Sequence, residues 1–298
     1  MNEKIETESR DNLEILVKKD VERDISLIKE TFQRENAEAM KNRILYFYKP
    51  LKEKLRDSKD QPKDIEDYFR KIYIEQGLKI DEIVSRSEKL IKEQAGVCLE
   101  NLISLMEYSS DRKQEFIAIP TLLPYSPFNR PIFYFSIIRE LVTGEKTEVL
   151  DIAIHEISHF LFFDIIKNLE FNLRTRPETQ SLKHLFKEAL TGMLLSEPEL
   201  ETLLDRKNYL GNPEVHFLSV KVSTGKQMIL REYLRQIFRD YRSRGLTFSD
   251  FIRDEIKRML PKAVEFHQKK IFWDENEQEL RLKDSKLLEE YKKPIIIS

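Results

Sequence analysis

"VLDIAIHEISHFLFFDIIKN", residues 149–168, is the stretch on which the reading of this chain turns. Leu150, Ile152, Ile154, Ile157, Phe160, Leu161, Phe162 and Phe163 surround a 3.6-residue helix almost completely, so the segment predicts a buried helix running to about Asn168. Gly144 marks the loop before it, Thr147 is the expected N-cap, and Glu148 and Asp151 place acid in the first turn. Two histidines and a glutamate inside so apolar an element are costly unless something pairs with them.

Those three residues, in "HEISH", have metal-binding spacing. Helical residues four apart differ by about 40° around the axis, so His155 and His159 project from one face and can share one tetrahedral zinc ion, Zn2+. Glu156 lies about 100° round from His155, beside such an ion, where its carboxylate can take a proton from an attacking water. A third ligand is still required. Asp164 faces about 180° away from His155 and is discarded. Phe162 and Ile165 stand where a metzincin carries glycine and histidine, which excludes that class.

The next clear helix is read from near Ser181 through "LKHLFKEALTGMLL", with Ser196, Pro198 and Glu199 capping another. Here the sequence resembles the gluzincin group of zinc metallopeptidases, in which H-E-x-x-H is completed by a glutamate from a following helix. His155, Glu156 and His159 match that pattern, and Glu188 of "KEAL" is the match for the third ligand. The resemblance spans about residues 115 to 200 at the level of the clan. The aminopeptidase G-x-M-E-N motif is absent, so an endopeptidase acting on peptides or proteins is implied. A strand before the active helix usually pairs with extended substrate in this group, and "IFYFSII" (132–138) holds that place.

Other residues carry weaker signals. Asp151 is either an orienting partner for a ligand histidine or a complement to the helix dipole. His184 is a partner or a replacement ligand, or a surface histidine. Gluzincins place an oxyanion-stabilising donor downstream. His216 is taken as the catalytic candidate, with Tyr209 and Tyr233 as alternatives. His267, Cys98 and Trp273 are read as structural. A deformylase-like hydrolase is disfavoured, because Cys98 in "GVCLENL" lacks that family's context.

Working outward, "EFIAIP" (115–120) and "IFYFSII" read as two strands of a small antiparallel sheet, joined by the Pro-rich "TLLPYSPFNRP". Between 11 and 49, Leu13, Leu16, Val17, Val21, Ile25, Ile28 and Phe32 form one helical stripe that ends near Pro50, and helical spacing resumes from Ile65. Downstream of 226 lie amphipathic helices, then a polar tail whose "PIIIS" can pair with a sheet edge. The expected fold is α+β and predominantly α-helical: an N-terminal helical region (1–112), a zincin-like core with C-terminal helices (113–275) and a polar tail (276–298).

Composition narrows the function classes. The chain has 298 residues, 35% of them charged and only 7 glycines, which favours solvated helices over a turn-rich β fold. With 51 basic and 53 acidic side chains the net charge is -2, leaving no field that draws nucleic acid or an anionic membrane. One cysteine excludes an internal disulfide and fits a reducing, cytoplasmic setting. The polar segment 1–12 shows no secretory signal, and no apolar run is long enough to span a bilayer. A catalytically inactive zincin-like scaffold, binding a protein partner through its N-terminal helices, is the competing expectation.

Overall fold

A computed structural model describes residues 13–297, apart from 36, 110–112, 170, 172, 174–175, 205–208, 210 and 282–284. The segment 1–12, and residues 110–112 at the expected boundary between the N-terminal helical region and the core, lie outside the described residues. Of the described residues 67% are helical, and the strands form small mixed sheets. The chain clusters into two compact units, Met1–Val97 with Ser110–Glu156, and Cys98–Ser109 with Ile157–Ser298.

In the first unit the stripe expected as one helix is divided. Leu13–Val17 is strand β1, and helix α1 starts only at Val21–Gln33. The side chain of Asp20 caps α1 by accepting from the Arg23 N–H at 3.1 Å, which ends the strand and nucleates the helix. The chain continues through α2 (Glu38–Phe47) and α3 (Lys49–Arg56). Pro50 therefore opens α3 at its first turn, where its missing N–H costs nothing, instead of closing the preceding helix. Helices α4 (Gln61–Glu75) and α5 (Gly77–Met106) follow.

The sheet is mixed, which corrects the antiparallel expectation. Strands β2 (Gln114–Thr121), β3 (Phe128–Asn129) and β4 (Ile132–Ser136) join β1 in the order β1-β2-β4-β3. β1 pairs parallel with β2, from Leu13↔Gln114 to Val17↔Ala118, and β2 pairs parallel with β4, from Ile117↔Ile132 to Thr121↔Ser136. In this sheet only β3 is antiparallel. Adjacent Ala118 and Ile119 point to opposite faces and are both buried, so the central strand is covered on two sides, as parallel strands usually are.

β4 does not offer the open edge expected for substrate. Phe128 and Asn129 pair with Phe133 and Ile132, the Tyr134 N–H donates to the Pro127 carbonyl at 2.9 Å, and the Ser136 N–H donates to Ser126 Oγ at 3.4 Å. The chain's own 126–129 segment already occupies that edge.

Helix α6 (Ile138–Thr143) ends at Gly144, whose φ of 78° suits a glycine C-cap. Helix α7 then runs Val149–Asn168, with the Glu148 carbonyl accepting its first bond, from Ile152. Thr147 is not its cap; that hydroxyl donates to the Ser136 carbonyl and the Thr147 N–H to Glu140.

The second unit centres on α8 (Pro177–Leu194), buried without interruption from Leu185 to Leu194 and packed on α10 (Leu230–Ser243) and α12 (Ala263–Leu280). Short α9 is Pro198–Glu201, and α11 (Phe248–Met259) is fixed by a capping box between Thr247 and Asp250. A small sheet of β5 (Ser219–Lys221), β6 (Gln227–Ile229) and β7 (Ile295–Ile296) follows the order β6-β5-β7. As the apolar "PIIIS" suggests, the C-terminal segment adds a strand to a sheet edge, pairing Val220↔Ile295 in parallel. Helix α13 (Lys286–Tyr291) precedes it, and Tyr291, Leu288 and Ile295 are buried, so much of the expected polar tail is packed. No helix among the described residues is long and apolar enough to cross a membrane.

Candidate metal centre

Helices α7 and α8 bring His155, His159 and Glu188 together, with one donor atom from each lying within 4.8 Å of the others. His159 Nε2 stands 3.4 Å from Glu188 Oε1. Ligand atoms held tetrahedrally at about 2.0–2.1 Å from an ion are about 3.4 Å apart, so this edge already has the spacing zinc needs. Two imidazoles and a carboxylate are also the donor set that borderline-soft zinc accepts. The residues fit the ion.

Burial grades the cluster. His159 is 1% exposed, Glu188 5% and His155 9%, which makes His155 the most open corner. Glu156, next along α7, is buried at 6%. The Oε2 atoms of Glu156 and Glu188 are buried and accept no hydrogen bond, although both residues make other interactions.

Two hydroxyls set the orientation of His159. Thr191 Oγ1 lies 3.1 Å from His159 Nδ1 and 2.6 Å from Ser158 Oγ. In the tautomer whose Nδ1–H donates to Thr191, Nε2 turns its lone pair towards Glu188, as metal binding requires. Two acceptors 3.4 Å apart then need a cation or a proton between them. Thr191 is absent from the residues singled out in the sequence, yet a signal exists there: it follows Glu188 by three positions and so shares its helix face.

Lys187 is the complication. Its buried ammonium donates to Glu188 Oε1, the same oxygen that faces His159. An ion entering between the histidines and Glu188 must share that oxygen with Lys187 or displace the lysine.

The remaining candidates lie elsewhere. His184 Nε2 is hydrogen-bonded to Glu214 Oε1, with Lys270 3.2 Å from the other carboxylate oxygen, so His184 is not a replacement ligand. Burial opposes the Glu214 charge, but the His184 hydrogen bond and the His184 and Lys270 charges hold its carboxyl below the usual range. His216 Nε2 meets the Gly211 carbonyl at 3.1 Å. At Gly211, φ is +69°, and an added Cβ would meet the Glu188 carbonyl at 3.7 Å, so this loop lies against the α8 backbone at Glu188. Tyr209 flanks Gly211 in the same loop. Tyr233 is spent: its hydroxyl donates to Glu255 at 2.7 Å and accepts from Arg258 at 2.6 Å. Asp151 is buried in the first turn of α7. Asp164 accepts from the Tyr108 hydroxyl at 2.8 Å, and His267 Nδ1 meets Ser181 Oγ at 2.8 Å.

Compared with family models, curated proteins and solved structures, the chain matches none of them.

Proposed function

We propose that the chain is a zinc-dependent peptidase, an endopeptidase in mode, with His155, His159 and Glu188 as metal ligands. The observation that carries this reading is the convergence of those three donors, with Glu156 following His155 on the same helix. Zinc held there supplies Lewis-acid polarisation of a peptide carbonyl and makes water a nucleophile at neutral pH.

The chain's own residues do the rest. Glu156 takes the proton of the attacking water on its carboxylate and delivers it to the leaving nitrogen. Its burial keeps that transfer out of bulk solvent and strengthens every charge interaction around it. Thr191 holds the His159 ring so that Nε2 stays a ligand. His216, whose Nε2–H donates to the carbonyl of Gly211 on the loop against α8, is the candidate donor to the oxyanion of the tetrahedral intermediate once it releases that bond or donates from Nδ1 as an imidazolium. The single cysteine, Cys98, is buried, in keeping with a cytoplasmic setting.

One observation favours a second reading. The Lys187 ammonium on Glu188 can supply internally the positive charge that zinc would bring. The chain would then be an inactive zincin-like scaffold, holding a protein partner through N-terminal helices on which Ile74 and Leu78 are 81% and 85% exposed. Hydrolysis of a pooled quenched-peptide mixture, measured with zinc content, separates the two. The peptidase reading expects turnover by the unmodified chain and a loss of about 10²–10⁴-fold in Glu156→Gln at undiminished zinc. Turnover by neither protein leaves the scaffold.

A further inference from the structure

Along one flank of α8, Gln180, Lys183, His184 and Lys187 fall at intervals of three and four residues and share a face. With Phe163 of α7 and Leu173 they line a cleft of about 490 Å³. Its chemistry is one-sided. Phe163 and Leu173 provide apolar surface, the two lysines, the histidine and the carboxamide provide donors, and no acidic side chain is among the described lining residues. The Lys183 ammonium sits 4.2 Å from the centre of the Phe163 ring, a cation held over an aromatic face.

The other two basic groups are anchored from behind, His184 by buried Glu214 and Lys187 by buried Glu188. Lys187 thereby joins the cleft to the metal centre, because its ammonium touches a ligand carboxylate while its side chain lines the cleft. A divalent ion held on Glu188 would neutralise the carboxylate that now balances Lys187, and the cleft wall would gain positive charge.

We infer that this cleft is a subsite for a carboxylate of the peptide substrate, carried by an acidic side chain or by a free C-terminus, and that Lys183 sets the preference. The carboxylate meets the Lys183 ammonium, and the carbons leading to it lie on Phe163 and Leu173. The substrate class rests on the peptidase reading.

Lys183 is the residue to vary, since it is half-buried on the helix flank and Lys183→Met keeps its stem on Phe163. The host is the zinc-loaded, full-length Glu156→Gln chain, alone and combined with Lys183→Met or Lys183→Glu. The probes are fluorescein-labelled hexapeptides of one sequence with Glu, Gln or Lys at each position in turn, their C-termini free or amidated, titrated by fluorescence anisotropy.

The carboxylate form is expected to bind about tenfold more tightly than its neutral counterpart. Lys183→Met removes the preference and Lys183→Glu inverts it towards the lysine peptide, with zinc content unchanged. A preference that follows the side chain identifies an acidic residue, and one that follows amidation identifies the C-terminus. Equal binding of charged and neutral peptides, a preference that survives both substitutions, or no peptide binding overturns the subsite. Hydrolysis of the peptide pool by the unmodified chain reads the peptidase activity separately, so turnover without a carboxylate preference sinks only the subsite.

Discussion

Asp24 and Glu188 are both carboxylates buried on helices, yet their surroundings are opposite in kind. Asp24, 0% exposed, is enclosed by donors: Oδ2 accepts from the Tyr73 hydroxyl at 2.7 Å and the Leu122 N–H at 3.0 Å, and Oδ1 accepts from the Thr121 hydroxyl. Glu188 accepts from one donor, the Lys187 ammonium on Oε1, and with that same oxygen faces a histidine nitrogen, beside a second histidine whose donor atom converges on the same point. Donors closing round a carboxylate complete a structural knot, whereas lone pairs turned towards one another call for a cation. Burial marks both places; only the polarity of the neighbouring atoms tells them apart.

The contrast is most sharply broken by substitution. Asp24→Ala leaves three buried donors without their acceptor and is expected to cost about 3–5 kcal/mol of stability, read as a lower denaturant midpoint with zinc content untouched. Glu188→Gln does the reverse, weakening zinc binding by about a hundredfold or more while its carboxamide oxygen still accepts from the buried Lys187 ammonium, so that the zinc-free midpoint moves far less. If Asp24→Ala emptied the metal site, or Glu188→Gln unfolded the zinc-free chain, the distinction between knot and site would fail.

Titration sharpens the comparison further. Burial pushes the Asp24 carboxyl up to about 6 from 3.8, although the Leu122 N–H and the Thr121 and Tyr73 hydroxyls pull it down. Because the folded value is raised, the folded state binds the extra proton. The stabilisation is full below the unfolded value and is lost as pH rises through about 6, a change of about 3 kcal/mol. The unfolding free energy at pH 4 should exceed that at pH 7 by about 2 kcal/mol more in the unmodified chain than in Asp24→Asn, and equal differences would refute the assignment. The smallest effect is expected from Thr191→Val, which deletes the hydroxyl beside His159 and keeps the shape; zinc affinity should fall about 10–100-fold, measured by chelator competition. No change would mean that His159 is oriented by packing alone.

Much of the site is legible in the sequence because its residues lie on helices, where spacing dictates facing. His155 and His159 at i, i+4 can be named without coordinates, whereas Glu188 is reached through the gluzincin resemblance and not through spacing. Thr191 is equally accessible through its spacing from Glu188, but threonine is so common on helices that the spacing alone does not single it out. Lys187 is hidden for another reason: adjacent helical residues project about 100° apart, and sequence alone does not reveal that a long side chain folds back to its neighbour. In the fold, Leu13, Leu16 and Val17 satisfy a helical stripe because a short apolar run fits two periods, and Asp20 decides the break. Strand direction is not legible because the connection from β2 to β4, residues 122–131, carries β3 and returns the chain to the starting end of the sheet, a path that local turn chemistry does not encode.

The account stands most directly on the zinc content of the purified chain beside Glu188→Ala, by elemental analysis after dialysis against a weak chelator. It predicts one zinc per chain in the unmodified protein and a small fraction of that in the variant. Equal zinc in both, or none in either after reconstitution, would contradict it and leave Lys187 as the cation that this cluster holds.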